Sequence, residues 1–494
     1  MKRVAVIGAG TAGLAAAWAA AKAGASVTVY ESHEKVGGTT ALSGGVSWLP
    51  ANHLSDDTIE AGLEYMRSLE LGDVDRELVE VFVRDSGPVA KRLEDETSLR
   101  WAALPYPDYH SEHPGGRPQG GRSLEPLAFD APDAVRSLIR DAPNRWGTIT
   151  YAELWAGTAD PAELAARKER GTFTAGQALI ACLLEACFEL GVEVKTGQRI
   201  TSLPEADAVI ITSGGFERDE QLVKAFLRGP MTAPTGVPTN QGDGLRIAMA
   251  AGAALGSMSE AWWAPAVSLP DDLIDTSPMY RLMLGERARP GCLIVDRTGN
   301  RFVDESQNYN DLGRTMQDFD AASYAFRHVP AWLIFDATYR NEYRVFTITP
   351  DDPDPAWLTK ANTLGELAEK LGIDAATLEQ TVGTFNRGAD AGIDNVFGRG
   401  NYAYDRFVGE LGALGEGPYY ALEIHPGCLG TKGGPKTDAD GRVLSALDGT
   451  PIPGLYAAGN AAASPFGLAY PGAGGTIGPA LVFGIRAGEA AASD

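Results

Sequence analysis

A strand that runs into a glycine-rich turn near the start of the chain constrains the fold more than any other feature. Residues 3–7 (RVAVI) form a run of strand length that is apolar after Arg3, and the turn Gly8-Ala9-Gly10-Thr11-Ala12-Gly13 follows them directly. An alanine-rich stretch of helical length comes next, and residues 27–30 (VTVY) form a second strand that ends at Glu31. Strand, turn, helix and strand in this order predict a nucleotide-binding unit built on a parallel sheet.

Each glycine of the turn has its own physical purpose. Gly8 permits the tight bend, Gly10 lets the backbone approach a pyrophosphate, and Gly13 allows the helix to pack closely on the strand. Free N–H groups at the helix N-terminus attract phosphate. Glu31 is placed to accept a hydrogen bond from a ribose hydroxyl. Together these residues predict dinucleotide binding.

A second segment rich in glycine and hydroxyl groups, residues 37–45 (GGTTALSGG), distinguishes between the dinucleotides. It resembles the flavoprotein segment that continues along the FAD pyrophosphate toward the flavin, with Thr39 and Ser43 as hydrogen-bond donors. FAD rather than NAD is therefore predicted. The predicted cofactor-binding residues are Gly8, Gly10, Gly13, Glu31, Gly37, Gly38, Thr39, Thr40, Ser43, Gly44, Gly45, Gly214, Gly459, Asn460, Gly475 and Ile477.

The part of the chain that binds FAD is expected to be discontinuous. Strand-and-glycine patterns at 208–215 and 454–460 both return to it, whereas the stretch between them is richer in Trp, Tyr and Pro. The predicted fold class is α/β, with a Rossmann-like FAD-binding domain and an inserted α+β substrate domain. The predicted boundaries are 1–259 and 433–494 for the FAD-binding domain and 260–432 for the substrate domain. Residues 57–98 are expected to be helical, since their apolar positions recur with helical spacing, and a helix is expected at 364–371 in the substrate domain. A final helix is expected to start near Gly474.

Charge and composition exclude several classes of function. The formal net charge of −23 would repel nucleic acid and an anionic membrane surface. The apolar runs are too short for a membrane span, and the start of the chain lacks a signal-peptide pattern, so we expect a cytoplasmic protein. The four cysteines, at positions 182, 187, 292 and 428, fit neither a zinc pair nor a CxxC motif, and the six histidines show no metal-site spacing. We therefore expect reduced thiols and no metal.

Three of the sixteen tyrosines lie in short motifs that contain turn-forming residues. Tyr109 lies in PDYH, Tyr309 ends RFVDESQNY, and Tyr470 begins YPGAG. Such turns are expected to present an exposed phenol. A single tyrosine is more often a packing residue than a catalytic one, so the rest of the chain has to support a catalytic interpretation.

Taken together with GRSLEP, GRTM, LGTKGG, GLYAAGN and YPGAGGTIGPA, these motifs make the whole chain resemble the 3-ketosteroid Δ1-dehydrogenases of the fumarate reductase/succinate dehydrogenase flavoprotein superfamily. The resemblance implies a reaction that introduces a carbon–carbon double bond beside a ring ketone. It implies that Tyr309 is the catalytic base and that Tyr109 assists it through a hydrogen bond. It also implies that Tyr470 and the backbone N–H of Gly474 polarise the ketone oxygen.

This assignment agrees with the chemistry of the reaction. A C–H beside a ketone becomes acidic when donors stabilise the developing enolate oxygen, and one such donor is typically worth roughly 2.7–4 kcal/mol. A phenol has an ordinary pKa of about 10, so Tyr309 would have to be held partly as phenolate by Tyr109 and a nearby positive dipole. The adjacent carbon then gives a hydride to the flavin, which carries out the redox chemistry.

The substrate is less constrained than the reaction. A 3-ketosteroid is favoured, and a smaller cyclic ketone such as cyclohexanone or 4-oxocyclohexanecarboxylate is the alternative. Arg281, Arg287 and Arg289 could hold a carboxylate or face solvent. A fumarate reductase-type reaction and a non-catalytic flavoprotein remain as further alternatives. Any desaturase also needs an electron acceptor, such as O₂ or a quinone.

Overall fold

The structure, a computed structural model, describes residues 1–143 and 148–494. In chain order, strands β1 to β20 are Arg3–Ile7, Ser26–Tyr30, Ser47–Trp48, Trp101–Ala103, Ser123–Pro126, Glu193–Lys195, Ala208–Ile211, Ala233–Pro234, Leu255–Gly256, Ala261–Ile274, Ser277–Leu282, Cys292–Asp296, Phe319–Asp320, Ala325–Phe326, Ala331–Phe335, Thr359–Ala361, Tyr419–Thr431, Gly434–Pro435, Arg442–Leu444 and Pro451–Ala457.

Helices α1 to α16 are Thr11–Lys22, Gly38–Leu42, Ile59–Ser68, Arg76–Glu96, Asp133–Arg136, Tyr151–Ala156, Pro161–Arg170, Ala175–Glu189, Glu220–Phe226, Asp243–Ala250, Tyr309–Thr315, Ala337–Glu342, Leu364–Leu371, Ala375–Asp390, Ala403–Val408 and Ile477–Ser493. No helix in the described part of the chain is long and apolar enough to cross a membrane.

The described chain divides into two compact units. The first comprises Met1–Phe226, Gly236–Ala261 and Gly430–Asp494, and the second comprises Leu227–Thr235 and Trp262–Leu429. The domain boundaries predicted from the sequence stay a prediction.

The first unit is built on a six-stranded sheet in the order β19-β20-β7-β1-β2-β6. Its central strand β1 pairs in parallel with both β2 and β7, and only β19 runs antiparallel to its neighbour. Val4 to Ile7 are all buried, as expected for a parallel strand that is covered on both faces. The mixed α/β fold with a parallel, Rossmann-like sheet is confirmed.

Two alanine- and glycine-rich helices lie close together in this unit. A Cβ added to Gly484 of α16 would come within 2.7 Å of the Ala12 carbonyl oxygen in α1, and one added to Gly488 would come within 2.2 Å of the Ala16 carbonyl oxygen. The small residues therefore let the backbones of α1 and α16 approach more closely than larger side chains would allow. This contact fixes the position of the first turn of α1, where the predicted phosphate site lies.

The second unit contains a seven-stranded, largely antiparallel sheet in which β12, β15 and β17 lie side by side. Successive residues of β12 face opposite sides of the sheet. Cys292 and Ile294 pack into one hydrophobic core, and Leu293 and Val295 pack into another. Apolar residues of α13 and α14 cover the second core.

Two local expectations need correction. The helical pattern over 57–98 forms two helices, α3 and α4, because residues 69–75 break it. The final helix begins at Ile477 rather than near Gly474, because Gly474 has a φ of +93°, outside the range of a right-handed helix. Gly474 therefore lies in a turn that precedes the helix.

Candidate active site

The three glycines of the first turn differ in what surrounds them. Gly8 has a φ of +105°, and a Cβ there would lie 2.6 Å from the Thr212 carbonyl oxygen. A Cβ on Gly13 would lie 1.9 Å from the Gly8 carbonyl oxygen. A Cβ on Gly10, in contrast, would have no described atom within 4 Å. The fold itself requires glycine at positions 8 and 13, whereas the space over Gly10 fits the pyrophosphate of a dinucleotide at the N-terminus of α1.

Glu31 is buried at the end of β2, and both of its carboxylate oxygens accept backbone hydrogen bonds. The Ala9 N–H donates to Oε2 at 2.9 Å, and the His33 N–H donates to Oε1 at 2.9 Å. Oε1 also accepts from the Ser32 hydroxyl at 3.2 Å, so the lone pair left for a further donor is on Oε2. The carboxylate is thus held beside the glycine turn with capacity for a ribose hydroxyl group.

The segment 37–45 is held against this turn. The Gly37 N–H donates to the Ala9 carbonyl oxygen at 3.0 Å, and a Cβ on Gly38 would lie 3.8 Å from the Gly10 α-carbon. Thr40 accepts a hydrogen bond from the Thr11 hydroxyl at 2.9 Å. These contacts bring the second glycine-rich segment alongside the phosphate turn, as a bound FAD requires.

The two hydroxyl groups predicted as cofactor donors have different environments. The Thr39 oxygen accepts from the Val237 N–H at 3.2 Å and from the Asn240 amide at 3.1 Å, so its own proton is available to a ligand. The Ser43 hydroxyl donates to the Thr40 carbonyl oxygen at 2.7 Å. Ser43 therefore closes the end of α2 with this hydrogen bond, and its role as a donor to the cofactor stays a prediction.

The remaining predicted cofactor residues are spread around the same part of the first unit. Gly459 has a φ of +68°, and a Cβ there would lie 2.9 Å from the Ala12 Cβ. A Cβ on Gly214 would meet the Asn240 side chain, and one on Gly45 would meet the backbone of Ala175. Asn460 lies in the short 3-10 helix after β20, and Ile477 is the first residue of α16.

Tyr109 and Tyr470, which are far apart in the sequence, meet in the first unit. Their ring centroids are 5.3 Å apart with the planes at 72°, an edge-to-face contact. The Tyr109 N–H donates to the Pro471 carbonyl oxygen at 3.1 Å. Both side chains are at least 95% buried, with exposures of 4% and 2%, so the expectation of exposed phenols is wrong. The turns that carry them pack against each other, which no local motif reveals.

Tyr65 joins the two turns through its hydroxyl group. This hydroxyl donates to the Pro471 carbonyl oxygen at 2.7 Å and accepts from the His110 N–H at 3.2 Å. Burial raises the pKa of Tyr65 well above 10, so the phenol keeps its proton and stays a donor. Tyr65 was not predicted from the sequence, because an isolated tyrosine inside an amphipathic helix is indistinguishable from a packing residue.

A buried ionic network lies beneath Tyr109. Arg122 donates to Asp108 at 2.7 Å and to both carboxylate oxygens of Asp57 at 2.8 Å. The Trp48 indole donates to the other oxygen of Asp108 at 2.8 Å. Burial raises the pKa of Asp108 to about 6 despite the opposing charge of Arg122. The network fixes the backbone immediately before Tyr109, and its Asp and Arg stand in the PDYH and GRSLEP motifs.

Gly474 is half-buried, and its backbone has the geometry of a donor to a ligand. Its carbonyl oxygen accepts from the Trp48 N–H at 3.0 Å, whereas no hydrogen bond from its own N–H is found among the described residues. A Cβ at this position would lie 2.4 Å from the Val46 carbonyl oxygen. A Cβ on Gly475 would lie 2.7 Å from the Tyr470 ring. Glycine at 474 and 475 is therefore needed to place the turn and the tyrosine together.

Tyr309 belongs to the second unit and is the first residue of α11, not part of an open turn. It is 5% exposed, and the preceding Asn308 caps the helix by accepting from the Asp311 N–H at 3.1 Å. The N-terminus of a helix favours negative charge, which suits a phenolate. The structure thus places Tyr109, Tyr470 and Gly474 close together in one unit and Tyr309 in the other.

The charged side chains of the motif before Tyr309 form buried ion pairs that hold its backbone in place. Arg301 binds both carboxylate oxygens of Glu305 at 2.7 Å and pairs with Asp394 at 2.8 Å. Glu305 also accepts from the Ile294 N–H at 3.1 Å. Burial, with help from the charges of Asp405 and Glu305, raises the pKa of Asp304 to about 8. The RFVDES part of the motif therefore anchors Tyr309, a role that sequence reasoning did not assign to it.

A row of aromatic rings continues from the tyrosine pair. Tyr106 lies 6.3 Å from Tyr109, Trp155 lies 5.3 Å from Tyr106, and Tyr151 lies 5.2 Å from Trp155, all between ring centroids. Trp155 is 37% exposed, and Tyr106 and Tyr151 are half-buried. A Cβ on Gly44 would lie 2.7 Å from the Tyr151 ring, so the row ends beside the FAD segment.

The three arginines considered for carboxylate binding have other contacts. Arg281 forms a two-pronged ion pair with Asp272 at 2.6 and 3.0 Å. Arg287 is fully buried and donates to the carbonyl oxygens of Met283 and Glu305. Arg289 is exposed, with its guanidinium 5.3 Å from the centre of the Tyr343 ring.

The four cysteines are all free and buried. Burial raises the pKa of the Cys292 thiol to about 11 and those of Cys182 and Cys187 further still. In residues 1–143 and 148–494, one group of three side chains, His110, Glu112 and His113, has potential metal ligands within 4.8 Å of one another. Two of its members are exposed, and its site lies on the loop that follows Tyr109.

Comparison with known proteins agrees with this geometry. Residues 3–477 match the family described as FAD binding domain. The chain is 39% identical to the 4-oxocyclohexanecarboxylate 2-dehydrogenase of Sinomonas cyclohexanicum, over 98% of this chain and 92% of that protein. It is 35% identical to a 3-oxosteroid 1-dehydrogenase of Mycobacterium tuberculosis, over 98% of this chain and 97% of that one.

Among solved structures, the 3-ketosteroid Δ1-dehydrogenase of Sterolibacterium denitrificans, in complex with 1,4-androstadiene-3,17-dione, superposes with a TM-score of 0.90. The two chains are 31% identical, and each is covered completely. The chain therefore belongs to the FAD-binding family that contains the 3-oxosteroid and oxocyclohexanecarboxylate dehydrogenases. It is an FAD-dependent oxidoreductase that desaturates a CH–CH group of a cyclic ketone.

Proposed function

We propose that the protein is a 3-ketosteroid Δ1-dehydrogenase. The observation that carries this choice of substrate is the aromatic row that continues from Tyr470 and Tyr109 through Tyr106 and Trp155 to Tyr151. A single six-membered ring held at Tyr470 would reach little of this surface. Four fused rings offer the flat apolar area that such side chains bury favourably.

In the proposed mechanism, Tyr470 and the Gly474 N–H donate to the ketone oxygen. The turn holds the Gly474 N–H without a described partner, so it is free to receive the developing negative charge. Donors fixed before the reaction stabilise an enolate without having to reorganise. Removing one donor of this kind typically lowers the turnover number by about 10²- to 10³-fold.

Tyr309 is the proposed base that takes the proton from the carbon beside the ketone, and Tyr109 assists it. The buried ion pairs of Arg301, Glu305 and Asp394 keep Tyr309 at the start of its helix. The Gly8–Gly13 turn, Glu31 and residues 37–45 would hold FAD, which would supply the acceptor for the hydride that leaves the adjacent carbon. One proton and one hydride are lost in all, so the product carries one new double bond.

The contacts of two of the three arginines, Arg281 and Arg287, also favour an uncharged substrate. A substrate carboxylate needs a cation that is not already neutralised. The charge of Arg281 is neutralised by Asp272, and Arg287 donates its hydrogen bonds to backbone carbonyl oxygens. Neither is poised to bind a carboxylate without breaking an existing contact. A neutral polycyclic ketone does not impose that cost.

A small alicyclic ketone is the second candidate, favoured by the 39% identity to 4-oxocyclohexanecarboxylate 2-dehydrogenase. It would use the same tyrosines and the same cofactor. Its short ring would contact Tyr470 and Tyr109 and leave Trp155 unoccupied. The two candidates therefore differ in how much of the aromatic row the substrate needs.

The test is an anaerobic titration of the purified yellow protein, followed through loss of the flavin absorbance near 450 nm. Androst-4-ene-3,17-dione, cyclohexanone and 4-oxocyclohexanecarboxylate are compared at matched concentrations. Bleaching by the steroid, with the 1,4-diene as product, supports the proposal. Bleaching by a small ring ketone alone would overturn the steroid assignment in favour of the second candidate.

A further inference from the structure

The LGTKGG motif places a lysine in the interior of the first unit. Lys432 has an exposure of 0%, just after the end of β17. Its Nζ donates to the carbonyl oxygens of Gly467 at 3.0 Å and Ala469 at 2.8 Å. Burying an ammonium group is costly unless hydrogen bonds compensate for the lost water. Lysine at this position therefore calls for an explanation beyond simple packing.

Both carbonyl groups belong to the stretch immediately before Tyr470. The Ala469 carbonyl is part of the peptide group that joins Ala469 to Tyr470, so the lysine holds the backbone at the tyrosine itself. The Lys432 main chain is fixed on both sides as well. Its N–H donates to the Glu260 carbonyl oxygen at 2.9 Å, and its carbonyl oxygen accepts from the Ser464 N–H at 2.9 Å.

The two halves of the Tyr470 turn are thus held by different groups. Residues after Tyr470 are held by the hydrogen bonds to the Pro471 carbonyl and by the Ser123 hydroxyl, which donates to the Ala473 carbonyl oxygen at 2.9 Å. Residues before it are held by Lys432. The close packing of this half is visible at Gly467, where φ is +54° and a Cβ would lie 2.3 Å from the Leu71 carbonyl oxygen.

We propose that Lys432 is a positioning residue for the desaturation. Its ammonium group fixes the backbone before Tyr470 so that the Tyr470 hydroxyl points at the ketone oxygen. The inference rests on the proposed role of Tyr470 as an oxyanion donor. Charge–dipole attraction between the ammonium group and the two carbonyl groups makes this hold stronger than neutral hydrogen bonds would be.

The experiment compares three substitutions in the FAD-loaded protein. Lys432→Met matches the length without donors, Lys432→Gln keeps a neutral donor, and Lys432→Arg keeps the charge and several donors. Lys436→Met is the matched control, since Lys436 lies in the same segment with 45% of its side chain exposed and pairs with Asp73 at 3.4 Å. The turnover number and KM are measured on the ketone that wild type oxidises.

A second readout does not depend on turnover. 2-Naphthol imitates the enolate when it is ionised, and the absorbance of the bound form reports the ionised fraction. Lys432→Met is expected to lose at least about 100-fold in turnover number at nearly unchanged KM, as for loss of an oxyanion donor. It is also expected to bind 2-naphthol mainly un-ionised. Lys432→Arg should recover part of both properties, and Lys436→Met should match wild type.

Each outcome decides the proposal. A Lys432→Met protein that keeps FAD, turnover and 2-naphthol ionisation would overturn it. If Met and Gln variants do not fold and the Arg variant is fully active, the lysine serves the fold alone and the proposal also fails. A wild-type protein that oxidises no ring ketone would refute the proposed function instead, while the 2-naphthol comparison would still test Lys432.

Discussion

Tyr109 and Tyr470 lie edge to face with ring centroids 5.3 Å apart, and the Tyr109 N–H is hydrogen-bonded to the residue that follows Tyr470. A shift of either turn therefore moves the other. The two tyrosines form one structural element although 361 positions separate them. Substitutions near either ring are expected to affect both proposed roles together.

Tyr309→Phe should remove the proposed base and leave the protein otherwise intact. A positioned general base typically raises the reaction rate by about 10²- to 10⁴-fold, so the turnover number should fall by at least about 10²-fold. The measurement is the turnover number with androst-4-ene-3,17-dione, alongside the ratio of FAD to protein. Tyr324→Phe is the control, because Tyr324 is 85% exposed in the same unit. Wild-type turnover in Tyr309→Phe would remove this residue as the base.

Gly475→Ala should displace the Tyr470 ring, because the added Cβ would lie 2.7 and 2.8 Å from two of its carbon atoms. We expect a loss of turnover similar to that of Tyr470→Phe, about 10²- to 10³-fold for one oxyanion donor. Gly365→Ala in α13, where the nearest heavy atom would be 3.5 Å away, serves as the control. Full activity in Gly475→Ala would mean that Tyr470 need not stay where the structure has it.

Trp155→Ala should separate the two candidate substrates. If the aromatic row binds the rings of a steroid far from its ketone, KM for the steroid should rise about tenfold or more, as expected for loss of an aromatic contact worth roughly 1.5 kcal/mol or more. Turnover of cyclohexanone should not change. Leu154→Ala, at a residue 47% exposed on the same helix, is the matched control. An unchanged steroid KM would speak against a role for the row in binding.

Gly10→Val should give folded protein without colour. A Cβ at Gly10 meets no described atom within 4 Å, and its φ of −82° suits an ordinary residue, so the protein itself tolerates the side chain. The added methyl groups would instead fill the space of the pyrophosphate. Circular dichroism checks the fold, and absorbance near 450 nm checks for FAD. Gly383→Ala should remain yellow, and a yellow Gly10→Val protein would refute the site.

The buried carboxyl group of Asp304 should make stability depend on pH. Its pKa in the folded protein is about 8, against an ordinary value of 3.8. Below pH 3.8 the Asp304 carboxyl group is protonated in both the folded and the unfolded chain, so its burial does not lower the free energy of unfolding. As pH rises from 3.8 through about 8, the unfolded chain gives up its proton first and the free energy of unfolding falls.

Asp304→Asn keeps an acceptor for the Ser306 N–H, which is bonded to Asp304 at 2.7 Å, and removes the ionisation. Its melting temperature should exceed that of wild type near pH 8, with a difference that shrinks toward pH 4. Asp351→Asn, at an exposed position, should show no such trend. Parallel melting curves for Asp304→Asn and wild type across this range would contradict the assignment.

The sequence was most informative where the residues that serve one function lie close together in the chain. The glycines at 8, 10 and 13 and the acid at 31 lie within one strand–helix–strand unit, so their spacing alone predicts the turn. The Leu364–Leu371 helix was likewise predicted with its observed limits, because its apolar positions repeat with helical spacing.

Contacts between segments that are distant in the sequence could not be predicted from local patterns. The burial of Tyr109 and Tyr470 results from packing between turns at opposite ends of the chain. Tyr65, Lys432 and Glu305 were missed for the same reason, since each acts through a partner that the local sequence does not identify. The final helix starts later than expected because the positive φ of Gly474 depends on its close approach to Val46, a tertiary contact.

The hydroxyl of Tyr65 reaches a carbonyl 406 residues further along the chain, and that of Ser123 reaches one 350 residues away. During synthesis the amino-terminal turns leave the ribosome long before these partners exist. The proposed oxyanion site can therefore form only after the last few dozen residues have emerged and docked. A nascent chain, or one truncated at its carboxy terminus, is therefore expected to be inactive. The site is assembled at the end of folding rather than at its beginning.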